Sequence, residues 1–387
     1  MRPLLLCFGL FTTFSIRAQS VSSINFNYWY NLQGEASIQF YPVKQRDSIV
    51  VYYTLRTNNP SVTSYMVQWE KRESYNQRQG AIFLPNDTVL LTGGKSDGIF
   101  RFPKPQKPWL LFAKVTNPSS GKAWYFFKQI EEHYPVNGFL EKNGEIQGRT
   151  FVAASGHYRV HGSNSGQPIH FSFYKDDFPT PSPPFAGKEL KIDRFLFPDS
   201  TFTISPGQEI GPFKREGLYL GQEDTLSAEG FSFLVKKEPY PKYNTLGDLK
   251  GPLLFVTTGE ENDQIGAAGE DKVKFDKVIL DITNDKERAK NFMRSYFKRV
   301  EYANFAFTSF KEGWKTDRGM IVIVFGAPDE VLISGQQEIW GYKSPRQQFF
   351  FNKAGSVYNP DYYVLIRDSK YTENWYMTID LWRKSRF

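Results

Sequence analysis

The sequence predicts a mainly β protein with a C-terminal α+β domain: two β-sandwich-like (Ig-like) units, then helices packed on an antiparallel sheet. Three observations carry this. Short apolar or alternating runs recur from about Val21 to Val235, separated by turn residues, as in sandwich strands. The period then becomes helical, with Ala289, Phe292, Met293, Tyr296, Val300, Ala303 and Phe307 on one stripe. Strand-like runs return after Gly313, and helices followed by strands in one segment suggest α+β packing.

The first residues, "MRPLLLCFGLFTTFSIRAQS", combine a basic start at Arg2, a short apolar run and a small residue at Ala18. That is the layout of a secretory signal peptide over residues 1–18. The run is too short for a membrane span, which needs roughly 20 apolar residues. The expected address is the periplasm or the outer-membrane periphery, with no transmembrane span in the mature chain. The sole cysteine, Cys7, lies inside this segment, so the mature chain would have neither disulfides nor thiol-ligated zinc.

The first sandwich-like unit is placed at 19–135. Its strands include "SIVVYYTLRT", "TSYMVQWEKRE", "WLLFAKVTN" and "KAWYFFKQI". Residues 134–149 read as a joint. The second unit, 150–240, includes "TFVAASGHYRVHG", "QPIHFSFYKDDF" and "EGFSFLVKK", with an irregular Pro-dense loop, "FPTPSPPFAG", inside it. The last domain is placed at 250–387. "EENDQIGAAGED" reads there as a mobile loop. A helix is expected through Phe275, Val278, Ile279 and Ile282, and a longer one after an Asn284 N-cap. Met320–Phe325 and "WYMTIDLW" read as strands, with "QEIWGY", "RQQFFFN" and "YYVLIR" between them.

The turn "GWKTDRG" sits between helix and sheet. Trp314 is expected to fill the helix–sheet seam. Thr316 and Asp317 are short oxygen-bearing side chains suited to capping. Arg318 is expected to pair with Asp317 or with a carboxylate elsewhere. Asp329 and Glu330 occupy a second turn. Trp314, Thr316, Asp317, Arg318, Asp329 and Glu330 are therefore the candidate binding residues.

Gly313, Trp314, Thr316 and Asp317 match the motif that names the GWxTD domain family of bacterial exported proteins. "RSYFKRVEYANFAFTSFKEGWKTDRGMIVIVFGAPDEV" resembles its helix, motif and Pro-Asp-Glu turn, and the resemblance runs from about Gly251 to Phe387. It implies export and a shared fold, and carries no established chemistry.

Other chemistries find little footing. Asp317 and Asp329 or Glu330 form the best carboxylate pair, but a strand between them would hold them roughly 20 Å apart. His157, His161 and His170 fall in an expected hairpin. His157 and His161 would lie about 13 Å apart on a strand, too far for one metal. His133 stands alone. "TGGKS" lacks the first glycine of a phosphate-binding loop, so no cofactor is expected. Without Arg2 and Arg17 there remain 46 basic and 41 acidic residues in no long block, which argues against a nucleic-acid partner. Trp340, Tyr342, Trp375 and Trp382 read as core, with a glycan-contacting face as the alternative. The leading expectation is a non-catalytic interaction or assembly module of the envelope with protein partners. The alternatives are a hydrolase using carboxylates near Asp317 and a binding protein that contacts glycan or peptidoglycan.

Overall fold

The computed structural model describes residues 19–131, 134–163, 166–175, 178–187 and 196–386. The expected signal peptide and His133 lie outside them. The described chain is mainly β, with several antiparallel sheets and helices gathered toward the C-terminus.

The first block holds β1 (Ala36–Lys44), β2 (Ser48–Thr57), β3 (Ser64–Arg72), β4 (Ala81–Leu90), β5 (Lys95–Pro103), β6 (Trp109–Thr116) and β7 (Ala123–Ile130). They pair as two sheets, β1-β2-β5 and β4-β3-β6-β7. Alternate residues face inward. Ile49, Val51 and Leu55 from one sheet share a core with Tyr65, Val67, Trp69, Leu111, Ala113 and Val115 from the other. The opposite face of β6 is also covered, because Leu110 and Phe112 enter the core of the C-terminal block. Burial on both faces explains why this strand reads as an unbroken apolar run. Gly93 and Gly94, both at positive φ, turn the chain from β4 into β5, so "TGGKS" is a strand–turn–strand corner.

The second block holds β8 (Gly138–Lys142), β9 (Glu145–Ile146), β10 (Phe151–Ala153), β11 (Tyr158–Gly162), β12 (Ile169–Tyr174), β13 (Ser200–Ile204), β14 (Glu209–Ile210), β15 (Gly217–Gln222) and β16 (Phe231–Lys236). Their sheets are β10-β16-β15-β12-β13 and β14-β11-β8-β9. Leu140, Val160 and Ile210 meet Phe171, Phe173, Tyr219 and Phe233 between them. Three expectations change here. The joint at 134–149 contains the β8–β9 hairpin, turned by Asn143 and Gly144 at φ 56 and 81. Asn-Gly is the favoured pair for such a turn. Strands β11 and β12 belong to different sheets, so the three histidines share no hairpin. Strand β15 is buried along its whole length, and no strand was expected there.

The C-terminal block contains α1 (Leu246–Leu253), α2 (Gly259–Ala267), α3 (Lys272–Thr283), α4 (Lys286–Phe307) and a 3-10 turn, Gly313–Lys315. Then follow α5 (Asp317–Phe325), β17 (Glu330–Ser334), β18 (Gln337–Tyr342), β19 (Gln347–Lys353), β20 (Tyr363–Leu365) and α6 (Thr372–Arg383). The four strands form an antiparallel meander.

Two predicted strands are helices. Met320–Phe325 lies in α5, which Thr316 starts by accepting a hydrogen bond from Gly319 N. This helix is apolar all round because it is enclosed on all sides, and periodicity cannot tell such a helix from a buried strand. "WYMTIDLW" lies in α6, where Trp375, Thr378 and Trp382 form the inward stripe. The expected mobile loop is helix α2, held at its start by a reciprocal capping box between Thr258 and Glu261. Asn284 closes α3 in a left-handed conformation, and Asp285 caps α4 instead.

The chain's first described segment packs against its last block. Val21, Ile24 and Phe26 are buried in the C-terminal core. Phe26 N donates to Val331 O at 2.8 Å, and Val331 N donates to Asn25 Oδ1 at 2.9 Å. Asn25 Nδ2 also reaches Asp329 O. Asn25→Ala should therefore lower stability by about 1–2 kcal/mol through the Val331 N–H it leaves without its acceptor. Urea unfolding of both forms checks this, and an unchanged midpoint would show that the segment is not anchored there.

Candidate functional site: the corner at 313–319 and the cleft beside it

The two glycines of the corner are set by close approach. A Cβ on Gly313 would lie 2.0 Å from Ala303 O, against the backbone of α4. One on Gly319 would lie 1.9 Å from Gly313 O. Thr316 Oγ1 ties them together, donating to Gly313 O at 2.7 Å and accepting from Gly319 N at 3.0 Å.

Trp314 is 5% exposed, but it does not lie at the helix–sheet seam. Its ring packs on the helix side, against Gly251 of α1 and edge-on to Phe255. Trp314 N donates to Asn304 Oδ1 on α4 at 3.1 Å. Its Nε1–H points to Tyr243 Oη at 2.9 Å and Glu312 Oε2 at 3.2 Å.

Asp317 and Arg318 do not pair with each other. Asp317 takes a two-pronged ion pair from Arg367, at 2.7 and 3.3 Å, and accepts from Leu365 N at 2.7 Å. Arg367 in turn donates to Ser182 O in the Pro-dense loop at 3.1 Å. Arg318 pairs with the buried Glu338 on β18 at 3.3 Å and lies 4.4 Å over the Tyr363 ring. Glu338 also accepts from Trp340 Nε1 at 2.6 Å and from the Tyr30 hydroxyl of the N-terminal segment. Burial, with Glu338 alongside, pushes the Tyr30 hydroxyl well above its ordinary value, so it remains a donor. Burial works against the Arg318 charge, but the paired Glu338 carboxylate favours it and the guanidinium stays protonated, with the neutral Tyr30 oxygen accepting from it at 3.4 Å. Tyr30→Phe should cost about 1–3 kcal/mol, since the buried carboxylate loses one donor. Thermal melting at fixed pH measures it, and a native melting temperature would mean Arg318 and Trp340 suffice.

Glu312, one residue before the motif, joins the second block to the third. Lys236 of β16 lies 2.9 Å from its Oε1 and Lys315 lies 3.0 Å from its Oε2. Tyr243 donates to it at 2.7 Å. Burial alone would raise this carboxyl, but Lys236 and Lys315 outweigh burial and hold it at about 2 against an ordinary 4.5. A depressed carboxylate contributes stability above its unfolded value and loses it as pH falls toward its folded one. Glu312→Gln should lower stability at pH 7 by on the order of 3 kcal/mol. The gap from the parent should close between about pH 4.5 and 2. A gap that stays constant over that window in denaturant titrations would show that Glu312 does not carry this charge.

Asp329 and Glu330 do not join Asp317. Asp329 Oδ2 accepts from Lys343 N at 2.8 Å, and both residues border a separate shallow hollow with Arg346 and Lys370. His161 stacks on Phe139 at 4.7 Å and lies 2.9 Å from Glu141, whereas His170 meets Thr203 at 3.1 Å. Among the described residues, no three His, Cys, Asp or Glu side chains are grouped to hold a metal ion. Trp340, Trp375, Trp382 and Tyr342 are all buried, so these four offer no face to a sugar.

Thr316 and Arg318 also line a cleft of about 680 Å³ between the N-terminal segment, the first sheet, residues 148–151 and the end of α4. Trp314 and Asp317 do not reach it. Glu338, Arg367, Asn304 and Tyr30 complete the corner from distant parts of the sequence. Only Glu338 left a trace, as a charge two residues before Trp340 and so on the same strand face.

No helix among the described residues is long and apolar enough to cross a membrane. A search of the curated proteins finds no match to this chain. The GWxTD domain model matches residues 217–384, so the match begins at strand β15, well before residue 251. It therefore takes in Lys236, the partner of Glu312. Residues 217–384, which include the motif at 313–317, the helices before it and the meander after it, are a GWxTD domain, so the chain contains one.

Proposed function

We propose that this protein is a non-catalytic assembly module, exported to the periplasm or the outer-membrane periphery. In this reading, two Ig-like sandwich units are held on the GWxTD domain and present surface to protein partners of the envelope. One observation carries it: every polar side chain of the motif is engaged inside the fold. Thr316 binds the corner's own backbone, Asp317 holds Arg367, and Arg318 holds Glu338. Catalysis needs a nucleophile, acid or base free to meet a substrate, and these groups are already matched by internal partners. Inter-block ion pairs support the scaffold reading. Asp361 meets Lys128 and Lys353, and Lys353 meets Glu131 at 2.8 Å.

The test is crosslinking and purification of the full-length tagged protein from its native cells after fractionation. The expected result is an N-terminus near Gln19, an envelope fraction, and a defined crosslinked partner. An intact Met1 on a cytosolic protein would overturn the address. A motif variant with native melting but lost complementation would overturn the structural reading of the corner.

A further inference from the structure

Arg56 and Arg149 both line the cleft beside the corner. Among the described residues, neither forms a salt bridge or a hydrogen bond. The other charges nearby are matched. Arg318 has Glu338, Asp361 has Lys128 and Lys353, and Asp97, which Arg56 also favours through space without a salt bridge, has Lys95 at 2.8 Å and Thr54 at 2.6 Å. Arg149 lies over the Phe305 ring at 4.3 Å and the Phe151 ring at 5.8 Å, with the residue still open to solvent. Partial burial and the nearby Arg56 draw its guanidinium below the ordinary value, the sign of a cation lacking a counter-charge.

The rest of the wall is largely apolar. Trp29, Ile38 and Phe305 line it half-buried, and Leu32 stands 47% exposed. Guanidiniums offer forked donors suited to carboxylate and phosphate oxygens. A volume of about 680 Å³ falls in the usual range for a small-molecule site. We propose that this cleft binds a small amphiphilic anion, its carboxylate or phosphate held by Arg56 and Arg149 and its apolar body lying along Trp29, Leu32 and Phe305.

Octyl phosphate, inorganic phosphate and octyl glucoside serve as probes, titrated calorimetrically into the full mature chain. Octyl phosphate should bind one to one, with the other two at least about tenfold weaker, because each lacks one half of the recognised chemistry. Arg149→Gln and Arg56→Gln should each weaken octyl phosphate about fivefold or more while leaving melting unchanged. Equal binding of octyl glucoside, or a double variant that binds octyl phosphate like the parent, would overturn the proposal. So would capture of an acidic peptide without any binding of octyl phosphate. Sedimentation with phosphatidylglycerol vesicles then separates the sources. Arg149-dependent co-sedimentation identifies a lipid headgroup, and octyl phosphate binding without it identifies a free amphiphile.

Discussion

Trp314→Ala is expected to lower the unfolding free energy by about 3–5 kcal/mol, the range for emptying a large aromatic from a core. The site has little means of collapsing. Gly251 has no side chain to move inward, and Phe255 touches the ring edge-on. The variant also strands Tyr243 and Glu312 without the indole N–H. Trp314→Phe separates the two effects, since it keeps most of the ring volume and removes only the donor. It should recover more than half of the loss. Denaturant unfolding of both variants decides the matter. A fully stable Trp314→Ala would mean that the tryptophan is not the keystone of the corner.

Asp317→Asn is expected to cost about 3–5 kcal/mol, because it leaves the half of a buried pair that cannot give up its charge. Arg367 has its partner at 2.7 Å, and its side chain is only 10% exposed. The amide oxygen can still accept from Leu365 N, so the backbone bond survives, while the amide NH2 faces Arg367 Nη2 donor to donor and the ion pair is lost. The double variant Asp317→Asn with Arg367→Met should be more stable than the single one, because no orphaned cation remains. That recovery is the readout a mere capping role would not give. If Arg367→Met adds its own full cost to that of Asp317→Asn, the pairing is not what stabilises the corner.

The sequence exposed the periodic parts of this fold and hid the enclosed ones. The stripe from Ala289 to Phe307 has one wet face and one dry face, so it announces a helix. Helix α5 has no wet face, and its run from Met320 to Val324 is buried throughout, so the period that would identify it is absent. The strands of the meander from Gln337 to Leu365 were legible in their alternation, yet α6 was not, because its two tryptophans resemble strand aromatics. At the corner, the capping role of Thr316 followed from local chemistry, whereas Gly319 lies within α5 and is set by the close approach of Gly313 O, which no local pattern reveals. The partners of Asp317 and Arg318 did not, since Arg367 lies 50 residues beyond Asp317 and Glu338 lies 20 residues beyond Arg318. Nothing in composition names which arginine meets which carboxylate.

The anchoring of Asn25 to Val331 also sets an order of events. Synthesis delivers Val331 306 residues after Asn25, so the first described segment waits unpaired while the chain is made. Contacts so distant in sequence form late and slowly. The core around Phe26 and Val331 can close only when both segments have been made. A chain truncated before Val331 would therefore be left with its C-terminal block open, its buried tyrosines and tryptophans accessible to chaperone or protease.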